Sequence, residues 1–360
     1  MATVGDVLAA LDLLAPRAKA AGWDAVGLQV GDPAAAAVSV AVCHEVTTEV
    51  VSSLERDPVD LLIAYHPLLF HPTRSFVAGS AAPGRAFRLA RAGVALGVVH
   101  TAYDVAPGGC SDALANALGL TQTRGFGPAW GADAVKIVTF VPPDRADDVA
   151  AAMAASGAGD IGNYTACSFR SEGTGSFLAG PGTAPMAGEV GAFNSELEIR
   201  LEMVAPAGLA DLVVAALVAA HPYEEPAFDV YGVQGNAGMI GRIGDVIPVT
   251  LGDLATHVGE VLETAPEVAG DRESTVSRVA VVPGSGGSFI EAVAQDTDVL
   301  VTGDVSHHAA RRALDAGLAV IDAGHVPTER PGVRNLYAAV SRVFAGARVM
   351  TDDPHPWEGP

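Results

Sequence analysis

Short apolar runs alternate with amphipathic segments through the first and last thirds of the chain. The runs at 59–64, 94–99, 299–303 and 318–321 are rich in Val, Ile, Leu and Ala and carry almost no charge. Runs of this kind are typical of parallel strands that are buried on both faces of a sheet. We therefore predict an α/β core with its functional groups in the loops after the strands, because open α/β sheets place their sites at the carboxyl ends of the strands.

The middle third has a different order of elements, which we interpret as a β-α-β-β-α-β unit. The predicted strands are 135–141, 196–204 and 227–233, and the predicted helices are 144–156 and 206–220. A Gly/Ser/Thr-rich run occupies 157–175. This is the order of a ferredoxin-like domain.

Changes in composition mark the borders of the middle unit. Gly, Ala and Pro accumulate over 125–133, and a second junction contains Gly235, Gly238, Gly241 and Gly244. The predicted fold class is accordingly α/β. A two-part α/β core is built from both ends of the chain, 1–125 and 241–360, and an α+β ferredoxin-like domain is inserted at 126–240.

Composition and charge narrow the choice of partners. The 360 residues are 49% hydrophobic, enough to supply the cores of two or three domains. The net charge of −21 opposes partners that are held by their phosphates, so nucleic acid binding is not expected. A small anionic substrate would need a local positive element, and a bound metal ion is one.

The cysteines and the hydropathy pattern bear on the compartment. Only three cysteines occur, they are far apart, and they form no C-x-x-C pair, so neither a disulfide framework nor a zinc ribbon is indicated. No signal-peptide pattern and no apolar stretch of about 18 residues is present. We expect a cytoplasmic protein without a membrane segment.

Imidazole and carboxylate side chains follow the buried strands. His66 ends the run at 59–64 before Pro67, and His100 and Asp104 follow the run at 94–99. Each of these side chains alone has an ordinary structural explanation, as a turn cap or as a hydrogen-bonded core residue. Their recurrence at successive strand ends favours a shared site.

The same pattern follows the two strands predicted in the last third. The first turn carries Asp304, His307 and His308, and the second carries Asp322, His325 and Glu329. Oxygen and nitrogen ligands without a thiolate suit zinc, manganese, iron or magnesium. The predicted ligand set is His66, Asp104, His325 and Glu329.

Motifs along almost the whole chain resemble those of the dinuclear-metal-centre proteins, a Nif-three-like family also known as GTP cyclohydrolase 1 type 2 homologues. The matching segments are 23–31 (WDAVGLQVG), 65–70 (YHPLLF), 100–109 (HTAYDVAPGG), 302–308 (TGDVSHH) and 322–329 (DAGHVPTE).

The resemblance implies two adjacent metal ions, held by a pair of neighbouring histidines, a bridging aspartate, and a later His with a Glu four residues on. It assigns His66, Asp104, His325 and Glu329 as ligands. Tyr65 stands where the family usually has the first histidine of the pair. Tyr65 would ligate as a phenolate or leave one ion short of a ligand, so we expect one or two divalent ions per chain.

The resemblance also implies an assembly and an activity. Members form homo-hexameric rings, and their optional insert resembles the trimeric signal-protein and copper-tolerance domains. We expect a metal-dependent hydrolase acting on a nucleotide or phosphoester, with His100 and His308 as general acid/base groups or as partners that orient the ligands. The alternative is a non-catalytic regulatory or scaffold hexamer that binds metal.

Overall fold

The computed structural model describes residues 2–128, 134–233, 239–344 and 346–350. These residues form two compact units. The first unit comprises the described residues up to 128 and from 239 onward, and the second comprises 134–233. Within the described ranges, no helix is both long enough and apolar enough to cross a membrane.

Helices and strands alternate through most of the chain. The helices are α1 (Val4–Leu14), α2 (Thr48–Arg56), α3 (Ala82–Arg91), α4 (His100–Asp104), α5 (Cys110–Ala117), α6 (Ala146–Ala155), α7 (Ala210–Ala220), α8 (Leu251–Leu262), α9 (Ile290–Val293), α10 (His307–Asp315) and α11 (His325–Val343). The strands are β1 (Gly27–Val30), β2 (Val40–Cys43), β3 (Leu61–Ala64), β4 (Ala95–Val98), β5 (Thr121–Phe126), β6 (Ala134–Val141), β7 (Phe169–Leu178), β8 (Phe193–Pro206), β9 (Phe228–Val233), β10 (Gly241–Thr250), β11 (Glu267–Ala269), β12 (Thr275–Ser285), β13 (Val299–Gly303), β14 (Ala319–Asp322) and β15 (Arg348–Val349).

The first sheet has the strand order β1-β4-β3-β2-β15. Strands β2, β3, β4 and β15 run parallel, and β1 is antiparallel to β4. Every residue of β2, β3 and β4 is buried, because helices cover both faces. Alternate residues go to opposite sides: Leu61 and Ile63 pack with α1 and α11, whereas Leu62 and Ala64 pack with α2 and α3.

The second sheet has the order β11-β14-β13-β12-β10-β5, in which β12, β13 and β14 are parallel. Helix α11 begins three residues after the end of β14, and its Leu336 and Val340 pack in the core of the first sheet. Helix α11 therefore places residues that come after a strand of the second sheet at the carboxyl ends of the strands of the first sheet.

The inserted segment leaves and re-enters the core on neighbouring strands. β5 and β10 are antiparallel partners, with Phe126 opposite Gly241. Gly241 and Gly244, which we had assigned to a junction, lie inside β10, and Gly235 and Gly238 lie outside the described residues. The two strand glycines are explained by packing instead, since a Cβ at Gly244 would lie 2.9 Å from the Thr121 carbonyl oxygen.

The second unit is a four-stranded antiparallel sheet of order β7-β8-β6-β9, combined with α6 and α7. Its chain order is β-α-β-β-α-β, the ferredoxin-like arrangement. β7 begins inside the Gly/Ser/Thr-rich run, most of its residues are exposed, and it is an edge strand with one neighbour. The predicted fold class, an α/β core with an α+β insertion, is confirmed.

Candidate metal centre

Histidines follow three adjacent parallel strands at one edge of the first sheet. His44 comes directly after β2, His66 two residues after β3, and His100 two residues after β4. Backbone pairing continues past the strand ends: the His66 amide donates to the His44 carbonyl at 2.9 Å, and the His100 amide donates to the Tyr65 carbonyl at 3.0 Å. The three imidazoles are thereby brought to the same edge.

The Glu329 carboxylate lies at the centre of these side chains. Its Oε2 is 2.7 Å from His44 Nε2 and 2.9 Å from His66 Nε2, and its Oε1 is 3.1 Å from His325 Nε2. Burial by itself raises the pKa of Glu329, but the charge of His66 and the hydrogen bonds from the histidines outweigh it and hold the pKa well below the usual range. Glu329 is therefore an ionised carboxylate in a buried site.

The backbone leaves room for this carboxylate. Gly284, near the end of β12, has φ +64°, and a Cβ there would lie 2.5 Å from Glu329 Oε1. The Gly284 amide donates to Thr328 Oγ1 at 2.9 Å. The end of β12 thus packs against the Glu329 carboxylate through a residue without a side chain.

One atom each from His44, His66 and Glu329 forms a set that fits a metal ion. The three atoms lie within 4.8 Å of one another, and in the described part of the chain no other group of three or more His, Cys, Asp or Glu side chains was found that is this close. Two imidazole nitrogens and a carboxylate oxygen are ligands that zinc and other first-row divalent ions accept. The residues present therefore fit a divalent cation.

Tyr65 and Asp104 form a buried pair beside this set. The Tyr65 hydroxyl donates a short hydrogen bond to Asp104 Oδ1 and lies 3.4 Å from Glu329 Oε1. Burial, followed by the charge of Asp104, raises the pKa of Tyr65 well above its usual range. Burial also raises the pKa of Asp104, to about 6. In this structure the Tyr65 hydroxyl therefore donates to Asp104.

His100 is held from the side opposite the cluster. Its Nδ1 donates to Asp24 Oδ1 at 2.9 Å, and Asp24, whose side chain is fully buried, also accepts from the Thr101 amide and hydroxyl. Burial lowers the pKa of His100, but the Asp24 hydrogen bond and the nearby carboxylates outweigh it and the pKa is raised. Because Nδ1 is occupied, Nε2 is the nitrogen left for other partners.

His325 occupies the other end of the Glu329 carboxylate. Its Nδ1 lies 2.7 Å from Asp304 Oδ2, and its Nε2 contacts Glu329 four residues later on α11. Burial lowers the pKa of His325, but Glu329 and then Asp304 outweigh it and raise the pKa to about 9. Asp322 has a turn role, since it accepts from the amides of Val305 and Gly324.

The structure brings most of the predicted site residues together, but not His308. Tyr65, His66, Asp104, His325 and Glu329 lie in one cluster that His100 adjoins. His308 is exposed near the start of α10, where its ring contacts that of His307. Within the described ranges His308 has no hydrogen bond or ion pair to the cluster, so its geometry gives no support to a catalytic role.

Comparison with known proteins agrees with this fold and site. The profile of the Duf34/NIF3 (NGG1p interacting factor 3) family matches residues 2–354. The chain belongs to the Duf34/NIF3 family. A Mycobacterium tuberculosis relative named GTP cyclohydrolase 1 type 2 homolog is 39% identical over 372 aligned residues, covering 98% of this chain and 96% of the relative.

Further members of the Duf34/NIF3 family support the whole-chain match. A Bacillus subtilis protein, also named GTP cyclohydrolase 1 type 2 homolog, is 35% identical over 324 residues, covering 89% of this chain and 87% of the relative. The crystal structure of a Bacillus cereus protein related to NIF3 has a TM-score of 0.76 at 33% identity, covering 96% of this chain and 95% of that chain. The resemblance seen in the sequence motifs is confirmed.

His44 of this Duf34/NIF3 chain was not among the ligands predicted from the sequence. It follows the run at 40–43, just as His66 and His100 follow their own strands, so the signal was present in the sequence. Its significance depends on β2 lying next to β3, a pairing that the apolar pattern does not specify.

Proposed function

We propose that this chain is a metal-dependent hydrolase that acts on a small anionic substrate such as a nucleotide or phosphoester. The observation that carries the proposal is the convergence of His44, His66 and Glu329 donor atoms at the carboxyl ends of a parallel sheet. A divalent cation held there would act as a Lewis acid and would lower the pKa of a bound water molecule toward neutrality. The names of the relatives, GTP cyclohydrolase 1 type 2 homolog, are consistent with hydrolysis.

The protein groups around the cation site would orient the reactants. His44, His66 and Glu329 would hold the cation. His100, fixed through Nδ1 by Asp24, would offer Nε2 as a hydrogen-bonding partner to substrate or water. The positive charge that the cation brings would allow an otherwise acidic protein to bind an anion, because the chain carries a net charge of −21.

A non-catalytic metal-binding role is the second candidate, and the burial of the site favours it. His44 is 7% exposed, Asp104 6% and Glu329 3%. Structural metal sites are closed, whereas catalytic sites keep a position open for water or substrate. In that case the cation would stabilise the core of a regulatory or scaffold assembly.

A hydrolysis screen separates the two candidates. GTP, other nucleotides and generic phosphoesters are incubated with the full chain and Mn²⁺, Zn²⁺ or Fe²⁺, beside Glu329→Gln and the matched off-site variant His257→Asn, whose histidine is exposed on α8. We expect activity that requires the cation, is abolished in Glu329→Gln and is retained in His257→Asn. Activity that persists in folded Glu329→Gln would contradict the hydrolase proposal.

We also propose that the chain assembles as a homo-hexamer, on the basis of the family resemblance. Large apolar side chains exposed in the second unit support an assembly, among them Phe169, Leu178 and Phe193 at 63%, 68% and 73% exposure. Six chains of 36.4 kDa give 6 × 36.4, about 218 kDa, which light scattering measures directly. A monomeric mass at micromolar concentration would refute the assembly.

A further inference from the structure

Tyr65 and His44 lie side by side at the ends of neighbouring strands, and each offers something different to a cation. Their ring centroids are 5.5 Å apart, but the Tyr65 hydroxyl points to Asp104 whereas His44 Nε2 points to Glu329. We infer that His44 supplies the imidazole ligand that position 65 lacks, and that the centre consequently holds one tightly bound ion, on His44, His66 and Glu329, instead of two.

The position of His44 argues for a ligand. Its Nε2 and that of His66 approach the same oxygen, Glu329 Oε2, at 2.7 and 2.9 Å, and their ring centroids are 5.0 Å apart. Two imidazoles on different strands are thus directed to one point beside one carboxylate oxygen. Only 8% of the His44 side chain is exposed, so its ring is enclosed by the protein and not directed to solvent.

The other oxygen of Glu329, Oε1, has different partners, and one of them is a phenol and not an imidazole. His325 Nε2 lies 3.1 Å and the Tyr65 hydroxyl 3.4 Å from Glu329 Oε1, and the same hydroxyl donates to Asp104. Coordination of a second cation by Asp104 would have to compete with the hydrogen bond from Tyr65. Asp104 therefore serves as the acceptor for Tyr65, whereas both partners of Glu329 Oε2 are imidazoles, which can ligate a cation together with that oxygen.

The inference rests on the metal-binding part of the proposed function and is independent of hydrolysis, so its test uses no substrate. Full-length protein is loaded with Zn²⁺, dialysed against metal-free buffer, and its metal content is measured by mass spectrometry. We expect about one Zn²⁺ per chain in the unaltered protein and in the exposed control His257→Asn. Absence of hydrolytic activity would leave these counts unchanged, so failure of the hydrolase proposal is distinguishable.

Removal of the proposed ligand gives the decisive variant. His44→Gly should weaken Zn²⁺ binding about a hundredfold or more, because loss of even an outer hydrogen-bonding partner of a ligand costs about 10–100-fold. Free imidazole added to His44→Gly should restore binding, since glycine leaves a space the size of the lost ring. A residue with only a packing role would not give this chemical rescue of the metal affinity.

A second variant and a spectroscopic count of the imidazole ligands distinguish loss of a ligand from misfolding. His44→Asn keeps a polar side chain of intermediate size, and X-ray absorption of the bound Zn²⁺ should show two imidazoles in the unaltered protein and one in this variant. Two tightly held ions in the unaltered protein would overturn the inference. So would an unchanged Zn²⁺ affinity and imidazole count in folded His44→Asn.

Discussion

Single buried carboxylates organise the site at the residue scale. Asp24 is acceptor-only when ionised, and every group around it donates: the Ala25 amide, the His100 ring, and the Thr101 amide and hydroxyl. Burial raises the pKa of Asp24, but the His100 hydrogen bond and charge, followed by Thr101, outweigh it and lower the pKa. His100 itself has a φ of +28°, which a non-glycine residue rarely adopts, so surrounding contacts must hold it there.

Asp24→Asn tests this arrangement. The variant places an NH₂ group where the protein supplies only donors, so we expect the free energy of unfolding to fall by about 1–3 kcal/mol. Denaturant unfolding of the full chain measures it. Asp32→Asn is the matched control, because Asp32 accepts the Ala34 amide at an exposed turn where asparagine can do the same. Equal unfolding free energies of Asp24→Asn and Asp32→Asn would show that the Asp24 hydrogen bonds do not stabilise the backbone conformation at His100.

His221 provides a pH-dependent test in the second unit. Its Nε2 donates to the Phe140 carbonyl oxygen at 3.1 Å and its Nδ1 accepts from the Tyr223 amide at 3.2 Å, which defines the neutral ring. Burial lowers the pKa of His221 below its usual 6.5, although the Phe140 hydrogen bond and the charge of Glu198 oppose it. The unfolded chain therefore takes up a proton near pH 6.5 while the folded chain does not.

The direction in which stability changes with pH follows from this difference in proton uptake. The contribution of His221 to stability is full above about pH 6.5 and is lost progressively as the pH falls below it. We expect the melting temperature of the unaltered protein to decrease from pH 7.5 to 5.5 more steeply than that of His221→Asn, which keeps an acceptor for the Tyr223 amide. If calorimetry shows the same decrease of melting temperature with pH in both proteins, this role of His221 is ruled out.

At the element scale, α11 links the two sheets and carries part of the site. His325 and Glu329 are four residues apart, so they lie on one face of the helix and contact each other. Pro331 lies inside the helix without a backbone N–H to donate, and Gly332 follows at the crossing with α5. Close approach of α11 to α5 therefore depends on residue 332 having no side chain.

Gly332→Ala tests the close helix crossing. Helix propensity alone would favour alanine by about 1 kcal/mol. A Cβ at 332 would, however, lie 2.7 Å from Cys110 Cα, and backbone atoms cannot move away cheaply. We expect a net loss of about 1–3 kcal/mol in unfolding free energy. Asn335→Ala, at an exposed position of the same helix, is the control and should be close to neutral; stabilisation by Gly332→Ala would contradict the close packing.

At the scale of the whole molecule, all the proposed ligands belong to the first unit. His44 and His66 lie before residue 128 and Glu329 lies after residue 239, so the second unit contributes none of them. Phe126 and Gly241 face each other on antiparallel strands, where opposing Cα atoms are about 4.5–5.5 Å apart. A short linker can therefore close the core when the second unit is removed.

A shortened chain that joins Phe126 to Gly241 through a few Gly and Ser residues is expected to fold and to bind Zn²⁺ like the full chain. Calorimetry establishes a cooperative melt, and metal analysis after dialysis gives the ion count. A folded shortened chain that has lost its metal would contradict the separation of the metal centre from the second unit.

The α/β core, the ferredoxin-like unit and the family were all predictable from the sequence. Parallel strands buried on both faces leave continuous apolar runs, such as 61–64, and the helical period between them is a local property. His66, His100 and Glu329 were recognised because each follows such a run or its turn. Local pattern therefore determined the elements and most candidate ligands.

The tertiary structure alone decided which candidates meet. His44 and Glu329 are 285 residues apart, and their contact requires β2 to pair with β3 and α11 to cross from one sheet to the other. The same packing leaves His308 in solvent and turns the Tyr65 hydroxyl toward Asp104. Strand adjacency and side-chain direction are non-local properties of the folded chain, so a one-dimensional pattern of apolar and polar residues cannot contain them.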